Sequence, residues 1–230
     1  VIETVTIHQP NHLPWLGYFA KLARADVFVF LDDAQFPKGS YVNRVQIAGA
    51  EPAWLTVPVK VTLGDPISAV VPARADWARA HRERLLQVYR PAAAFRAVWP
   101  EIESWLGETP SGNLATANIF LIGRIAARLG LGARFVTSSS LGVPPGTADA
   151  RLAEIVHRLA PGGRYLSGAG GANYQSDEVF AAKGITLVYS DFRPRPYTRG
   201  AYPFVPGLSV LDALFHLGWD ATGAMVAPAP

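Results

Sequence analysis

The chain has 230 residues, half of them apolar, with 6 Trp, 8 Tyr and 11 Phe, so it builds a folded core and is no disordered or low-complexity chain. A net charge of +3, from 21 basic and 18 acidic residues, is too even to announce nucleic acid. The absence of Cys excludes disulfides, thiolate metal sites and thiol nucleophiles.

The length points to one domain. No apolar run reaches the roughly 18 residues of a membrane span. No basic-then-apolar leader opens the chain, so the cytoplasm is the expected location. Thr4 to Ile7 reads as a first buried strand, and His8, Gln9 and Asn11 cluster at its end. Pro10 and Pro14 stiffen the turn, and Trp15 to Lys21 starts a helix with Pro14 at its first turn. Ligands in α/β proteins are held where a strand ends and a helix begins, so this cluster is the first candidate site.

Asp26 to Leu31 is a nearly continuous apolar run, read as a central buried strand, and ends in Asp32, Asp33 and Gln35. Adjacent residues of extended chain point to opposite sides, so one carboxylate of the pair faces a given pocket. It is a general base, a metal ligand or a turn acid bonded to its own backbone. Tyr41 to Ile47 and Trp54 to Lys60 read as an antiparallel pair, and Ile67 to Val71 as a further short strand. On the first of these, Asn43 precedes Arg44, which is either a surface residue or a clamp for carboxylate or phosphate.

From Asp76 to about Leu106 the pattern is helical, with Asp76 as N-cap and Trp77, His81, Leu85, Val88 and Tyr89 on one face. His81 and Tyr89 read either as hydrogen-bonded core or as site residues. Pro91 divides this stretch into two helices, and Asn118 to Leu129 is a third, closed by Gly130. Arg74, Arg79, Arg82, Arg84 and Arg90 crowd one segment, and Arg193, Arg195 and Arg199 another. They form solvated surface or a dock for an acidic or phosphate-bearing partner.

Arg134 to Thr137 reads as a strand, Ser138 to Gly146 as a connection within one domain, and Arg151 to Leu159 as a helix. The run from Tyr165 to Tyr174, which includes Ser167 and Gly168, follows a strand end and carries three glycines. Its amides could hold an oxyanion or phosphate, or it is a tight turn; it lacks P-loop and dinucleotide spacing. A short helix at Asp177 to Ala182, a strand at Ile185 to Tyr189 and a helix from Ser209 to Leu217, closed by Gly218, complete the reading. His157 and His216 read as structural. The expected fold is α/β: a central mixed sheet with polar clusters at strand ends, flanking helices and a helical insertion around residues 76–130. Residues 1–220 form the single expected domain, and 221–230 an Ala/Pro tail expected to be flexible.

Six segments resemble the WbqC-like protein family: IHQPNHLPWLGYFAK, ADVFVFLDDAQF, YVNRVQI with WLTVPV, the Trp77, His81, Tyr89 pattern, YLSGAGGANY and FVPGLSVLDALFHLG. They stand in the family's order from residue 5 to about 218. The resemblance implies a place in bacterial surface-polysaccharide or natural-product biosynthesis, and transfer of an aminoacyl group, glycine in particular, to an amine. It implicates His8, Gln9, Asp32, Gln35, Asn43, Arg44, His81, Tyr89, Ser167, Tyr174, Asp191 and Asp212. The chain departs from the family pattern at His12, where Tyr is common, at Arg199, where Gln is common, and at His216, where Asn is common. His12 and His216 are expected to alter acceptor shape, and Arg199 to favour an anionic substrate.

The expected mechanism is direct attack of an amine on an activated donor, without metal or cofactor. His8 or His81 is the base, and Asp32 or Asp33 orients it. Amides of the Gly168 to Gly171 loop, with Gln9 or Asn43, stabilise the oxyanion, and Arg44 clamps a carboxylate or phosphate. Asn11, Asp33, Gln35, Tyr89, Ser167, Tyr174, Asp191 and Asp212 complete the substrate-binding set. The donor is a thioester on an acidic carrier protein or coenzyme A, or an aminoacyl-tRNA, the one nucleic-acid partner expected. Two other classes compete: an amide hydrolase, which releases free acid, and a binding module for an acidic carrier or nucleotide sugar, in which Arg82 or Arg84 matters and the histidines do not.

Overall fold

The computed structural model describes residues 2–144, 146 and 148–228. Its elements in chain order are β1 (Thr4–His8), α1 (Leu16–Ala23), β2 (Val27–Phe30), β3 (Arg44–Ala48), β4 (Pro52–Thr56), β5 (Val59–Lys60), β6 (Val71–Pro72), α2 (Trp77–Tyr89), α3 (Phe95–Glu108) and α4 (Leu114–Arg128). There follow β7 (Arg134–Thr137), α5 (Ala148–Leu159), β8 (Arg164–Ser167), α6 (Asp177–Ala181), β9 (Thr186–Tyr189), α7 (Val210–Leu217) and α8 (Trp219–Val226).

The fold is α/β. Five strands pair in the order β7-β2-β1-β8-β9, and every pairing among them is parallel. The expected mixed sheet thus separates into a purely parallel sheet and two antiparallel ribbons outside it, β3-β4 and β5-β6. The reason lies in the side chains. β2 is buried at all four positions, as a strand covered on both faces must be. Val27 and Val29 join Val5 and Ile7 in a core beneath α5 and α6, while Phe28 and Phe30 pack into the larger core with α1, α2, α3, α4, α7 and α8.

Several boundaries move for local reasons. The strand expected over residues 54–60 splits at Pro58, which has no N–H to give a ladder. Ile67–Ala69 is a 3₁₀ turn, with β6 following it. α4 begins at Leu114 rather than Asn118, because Asn113 Oδ1 accepts the Thr116 N–H at 2.8 Å. Asp76 stands at the N-cap of α2, but its carboxylate binds Arg74 and Arg79 rather than a first-turn amide. Pro145, within the connecting loop, lies outside the described residues, as do residues 229 and 230 of the expected tail. The rest of that tail differs from the expectation: α8 runs to Val226 and buries Trp219, Thr222 and Val226.

Candidate functional site

From β1 the chain moves outward to β2 and β7 on one side of the sheet, then returns to place β8 and β9 on the other. Strand order therefore reverses between β1 and β8, the position at which doubly wound sheets open a crevice beyond their carboxyl ends. The pairing of these strands stops at Val5 with Tyr165, and Thr6 Oγ1 then donates to Leu166 O at 2.7 Å. Beyond that point the strands part. A cleft of about 390 Å3 fills the gap, with His8, Gln9 and Lys21 on the β1 side and Tyr165, Ser167 and the glycine loop on the β8 side. A smaller extension shares His8, Lys21 and Gly168 and runs under Trp15 and Phe192.

Lys21 is held here by the parting of the strands. Arg164 N donates to Glu3 O, so the odd-numbered carbonyls of β1 face β8. Ile7 O lies past the last pair, and Lys21 Nζ donates to it at 3.0 Å. Lys21 is 4 % exposed, and burial pushes its amine down to about 7. His8 Nδ1 lies 3.2 Å from Gln9 O; a carbonyl only accepts, so Nδ1 carries the proton and Nε2 the lone pair. Burial, with Lys21 beside it, pushes the imidazole down to about 3. Its ring tilts against Tyr18 at 4.7 Å.

Across the cleft, residues 169–173 turn as a 3₁₀ segment after Ser167. A Cβ on Gly171 would fall on the Ser167 hydroxyl and the Gln175 amide, so only glycine lets the loop close this tightly. Burial raises Tyr165 to about 12, against the pull of Ser167 and Gln175. Gln175 Oε1 is buried and accepts no hydrogen bond among the described residues. Tyr174 is 73 % exposed on the lip.

Of the residues expected from sequence, His8, Gln9, Ser167, Gly168 and Tyr174 meet in this cleft. Asp191 stands nearby at the end of β9, exposed and paired with Arg24 at 2.7 Å. The others do not line it. Asn11 is buried in the turn. Asp32 accepts from Ser138 Oγ, Ser139 N and Ser139 Oγ, while Asp33 binds Ser138 Oγ and Arg151. Neither carboxylate is hydrogen-bonded to His8; the pair ties β2 to the end of β7. Gln35 is exposed and bridges to Pro66. Asn43 Nδ2 donates to Val57 O across the ribbon, and Arg44 stacks over Trp54 at 4.2 Å and donates to Gly39 O.

His81 belongs to a different place. Asn118 Nδ2 donates to both Pro10 O and Val42 O, which orients its Oδ1 as the acceptor for His12 Nδ1 at 2.8 Å. His12 Nε2 then accepts from His81 Nε2 at 3.1 Å. Burial holds His12 down at about 4; burial and the neighbouring His12 hold His81 down at about 2. His12 is thus a core residue, not part of an acceptor site. Asp212 and Tyr89 are also sealed. Asp212 accepts from Arg199, Tyr89 and Tyr197, and Arg199 spends its remaining donors on Ala48 O and Pro203 O. The expected contribution of Arg199 to an anionic substrate is therefore replaced by a buried ion pair.

A larger cavity of about 440 Å3 lies over this ion pair, beside His216 and Ala92. It is remote from the strand ends, and the guanidinium behind it is already neutralised by Asp212. Arg74 and Arg79 of the basic segment pair with Asp76 and Glu83. Among the described residues no group of three or more His, Cys, Asp or Glu could hold a metal, and no helix is long and apolar enough to cross a membrane.

Sequence reasoning passed over Lys21, Tyr165 and Gln175. For Lys21 a signal existed: it is the single charged residue of α1, whose other positions are apolar or aromatic. Comparison with known proteins agrees with the motif pattern. The WbqC-like protein family matches residues 9–224. A Mycobacterium tuberculosis (strain ATCC 25618 / H37Rv) protein named Uncharacterized protein Rv1507c is 32 % identical over 228 residues, 96 % of each chain. No solved structure matches the chain.

Proposed function

The chain belongs to the WbqC-like protein family, and from that premise and the chemistry of the cleft we propose that it transfers an acyl or aminoacyl group, glycyl in particular, from an activated donor to an amine. The product is an amide. The observation that carries this reading is the meeting, at the switch point of the sheet, of a neutral imidazole, a buried amine and a tightly closed glycine loop.

Each part has a role in that reaction. His8 Nε2 accepts a hydrogen bond from the attacking nitrogen and aims its lone pair at the acyl carbon. A conjugate acid held at about 3 suits accepting a hydrogen bond better than storing a proton. Backbone amides of the loop after Ser167 face the carbonyl oxygen as it gains charge, where preorganised donors have their largest effect. Gln175 Oε1 offers an acceptor to an aminoacyl ammonium. Direct attack requires no enzyme nucleophile, which accords with a chain lacking Cys.

The test is mass spectrometry of the purified protein with glycine loaded on a carrier thioester, coenzyme A or tRNA, and a panel of amino sugars and amino acids. A new amide, formed by wild type and lost in His8→Gln, is the expected result. Free glycine above background without amide would make the protein a hydrolase. No turnover with any donor, together with saturable binding of an acidic carrier, would make it a binding module.

A further inference from the structure

We propose that Lys21 is the proton carrier of this cleft: its ε-amino group takes the proton that the acceptor ammonium must shed and hands it to the leaving group of the donor. The inference rests on the transfer reading above and names a residue outside the site set expected from the sequence.

Lys21 lines both the main cleft and its extension, beside His8 in each. Among the described residues its Nζ has one hydrogen-bond partner, Ile7 O, and no carboxylate partner. A neutral amine has two N–H groups and a lone pair, so a donor bond to Ile7 leaves the lone pair available to the cleft. The groups around it do not compete for the proton. His8 presents a neutral ring, burial raises Tyr18 and Tyr165 so that both keep their hydroxyl protons, and Tyr174 stands on the exposed lip. Arg24 and Asp191 at the rim neutralise each other, and α8, packed on α1, turns Asp220 to solvent. An amine near 7 has both forms populated at neutral pH, the condition for an efficient acid–base carrier.

The step balances as follows. The acceptor ammonium gives a proton to Lys21 Nζ, and the resulting amine attacks the acyl carbon, forming a C–N bond and an oxyanion. Collapse breaks the bond from that carbon to the sulfur or oxygen of the donor, and the Lys21 ammonium protonates the departing atom. Neutral Lys21 then removes the second proton from the new amide nitrogen. That proton passes to solvent, so one proton is released for each amide made.

Four lysines make this directly measurable: Lys21, Lys38, Lys60 and Lys183. The intact protein is treated with trace isotopic acetic anhydride from about pH 6 to 10, and labelling at each lysine is quantified by peptide mass spectrometry. Lys21 is expected to reach its plateau above a midpoint near 7, while a free lysine amide added as internal reference keeps rising. Lys21 labelling that stays absent, or that follows the free reference amine to the top of the range, overturns the proposal. The second arm compares Lys21→Met and Lys21→Gln with wild type by amide formation, both checked for native circular dichroism. Loss of turnover by about 100-fold or more with little change in KM is expected, as is loss of the acidic limb of the pH profile. Amide made by wild type and equally by both variants sinks the role of Lys21 alone; amide made by no protein sinks the transfer reading itself.

Discussion

Two regions of this protein hold neutral histidines, and they differ in what surrounds them. At the carboxyl end of β1, His8 sits where two strands part, with a lone pair, a buried amine and a glycine loop around open volume. A turn further on, His12 and His81 face each other in a sealed chain that ends on Asn118. Burial lowers all three imidazoles. Desolvation by itself therefore does not mark a site; a perturbed group also needs space for a ligand. The Arg199–Asp212 pair is buried as well, but its neighbours take up its donors and acceptors.

The largest expected effect tests whether the histidines of both regions are held neutral. Their folded values of about 3, 4 and 2 lie below the ordinary 6.5. The unfolded chain then binds protons first as pH falls, so this stability is complete above about 6.5 and is lost toward acid. At pH 5 the loss is about 2 kcal/mol per histidine, read as the urea unfolding free energy at pH 7 and pH 5. His8→Gln should keep about two thirds of that loss; a flat profile would break the comparison. Next, Asp212→Asn leaves Arg199 buried without its anion and should cost about 3–5 kcal/mol in the same measurement. A cost below about 1 kcal/mol would mean that water reaches the pair.

Lys21→Met sharpens the contrast by acting in the opposite direction. A lysine whose folded value lies near 7 rather than 10.5 penalises folding most at low pH, and the penalty is relieved as pH climbs from about 7 to 10.5. The variant should unfold with a free energy higher by on the order of 1 kcal/mol at pH 7 and should lack that rise. A less stable variant would make Lys21 a structural prop for Ile7 O. The smallest effect is at the rim: Asp191→Asn removes an exposed ion pair and should leave the urea midpoint within error of wild type. A larger loss would place the rim in the core.

The strands of the sheet were legible because residues 27–30 are apolar at every position, which only a doubly covered strand tolerates. Part of the cleft lining was legible too: a polar cluster directly after a buried strand placed His8 and Gln9, and a glycine loop placed Ser167 and Gly168. Asp32, His81, Tyr89 and Asp212 were harder. Buried polar networks and binding sites use the same residue types, and a sequence does not say whether the partner of a carboxylate is a serine 106 residues away, as for Asp32, or a ligand. Lys21 was missed for the converse reason. Its neighbours made the helix look like core, and the carbonyl that holds it appears only where β1 and β8 diverge.

The sequence by itself determined the α/β class, most of the strand and helix order and the family, because local patterns of apolar and turn residues specify elements one at a time. The tertiary structure decided which polar residues share a space. Proximity across the sheet depends on strand order, and strand order is settled by how two cores pack on opposite faces of it.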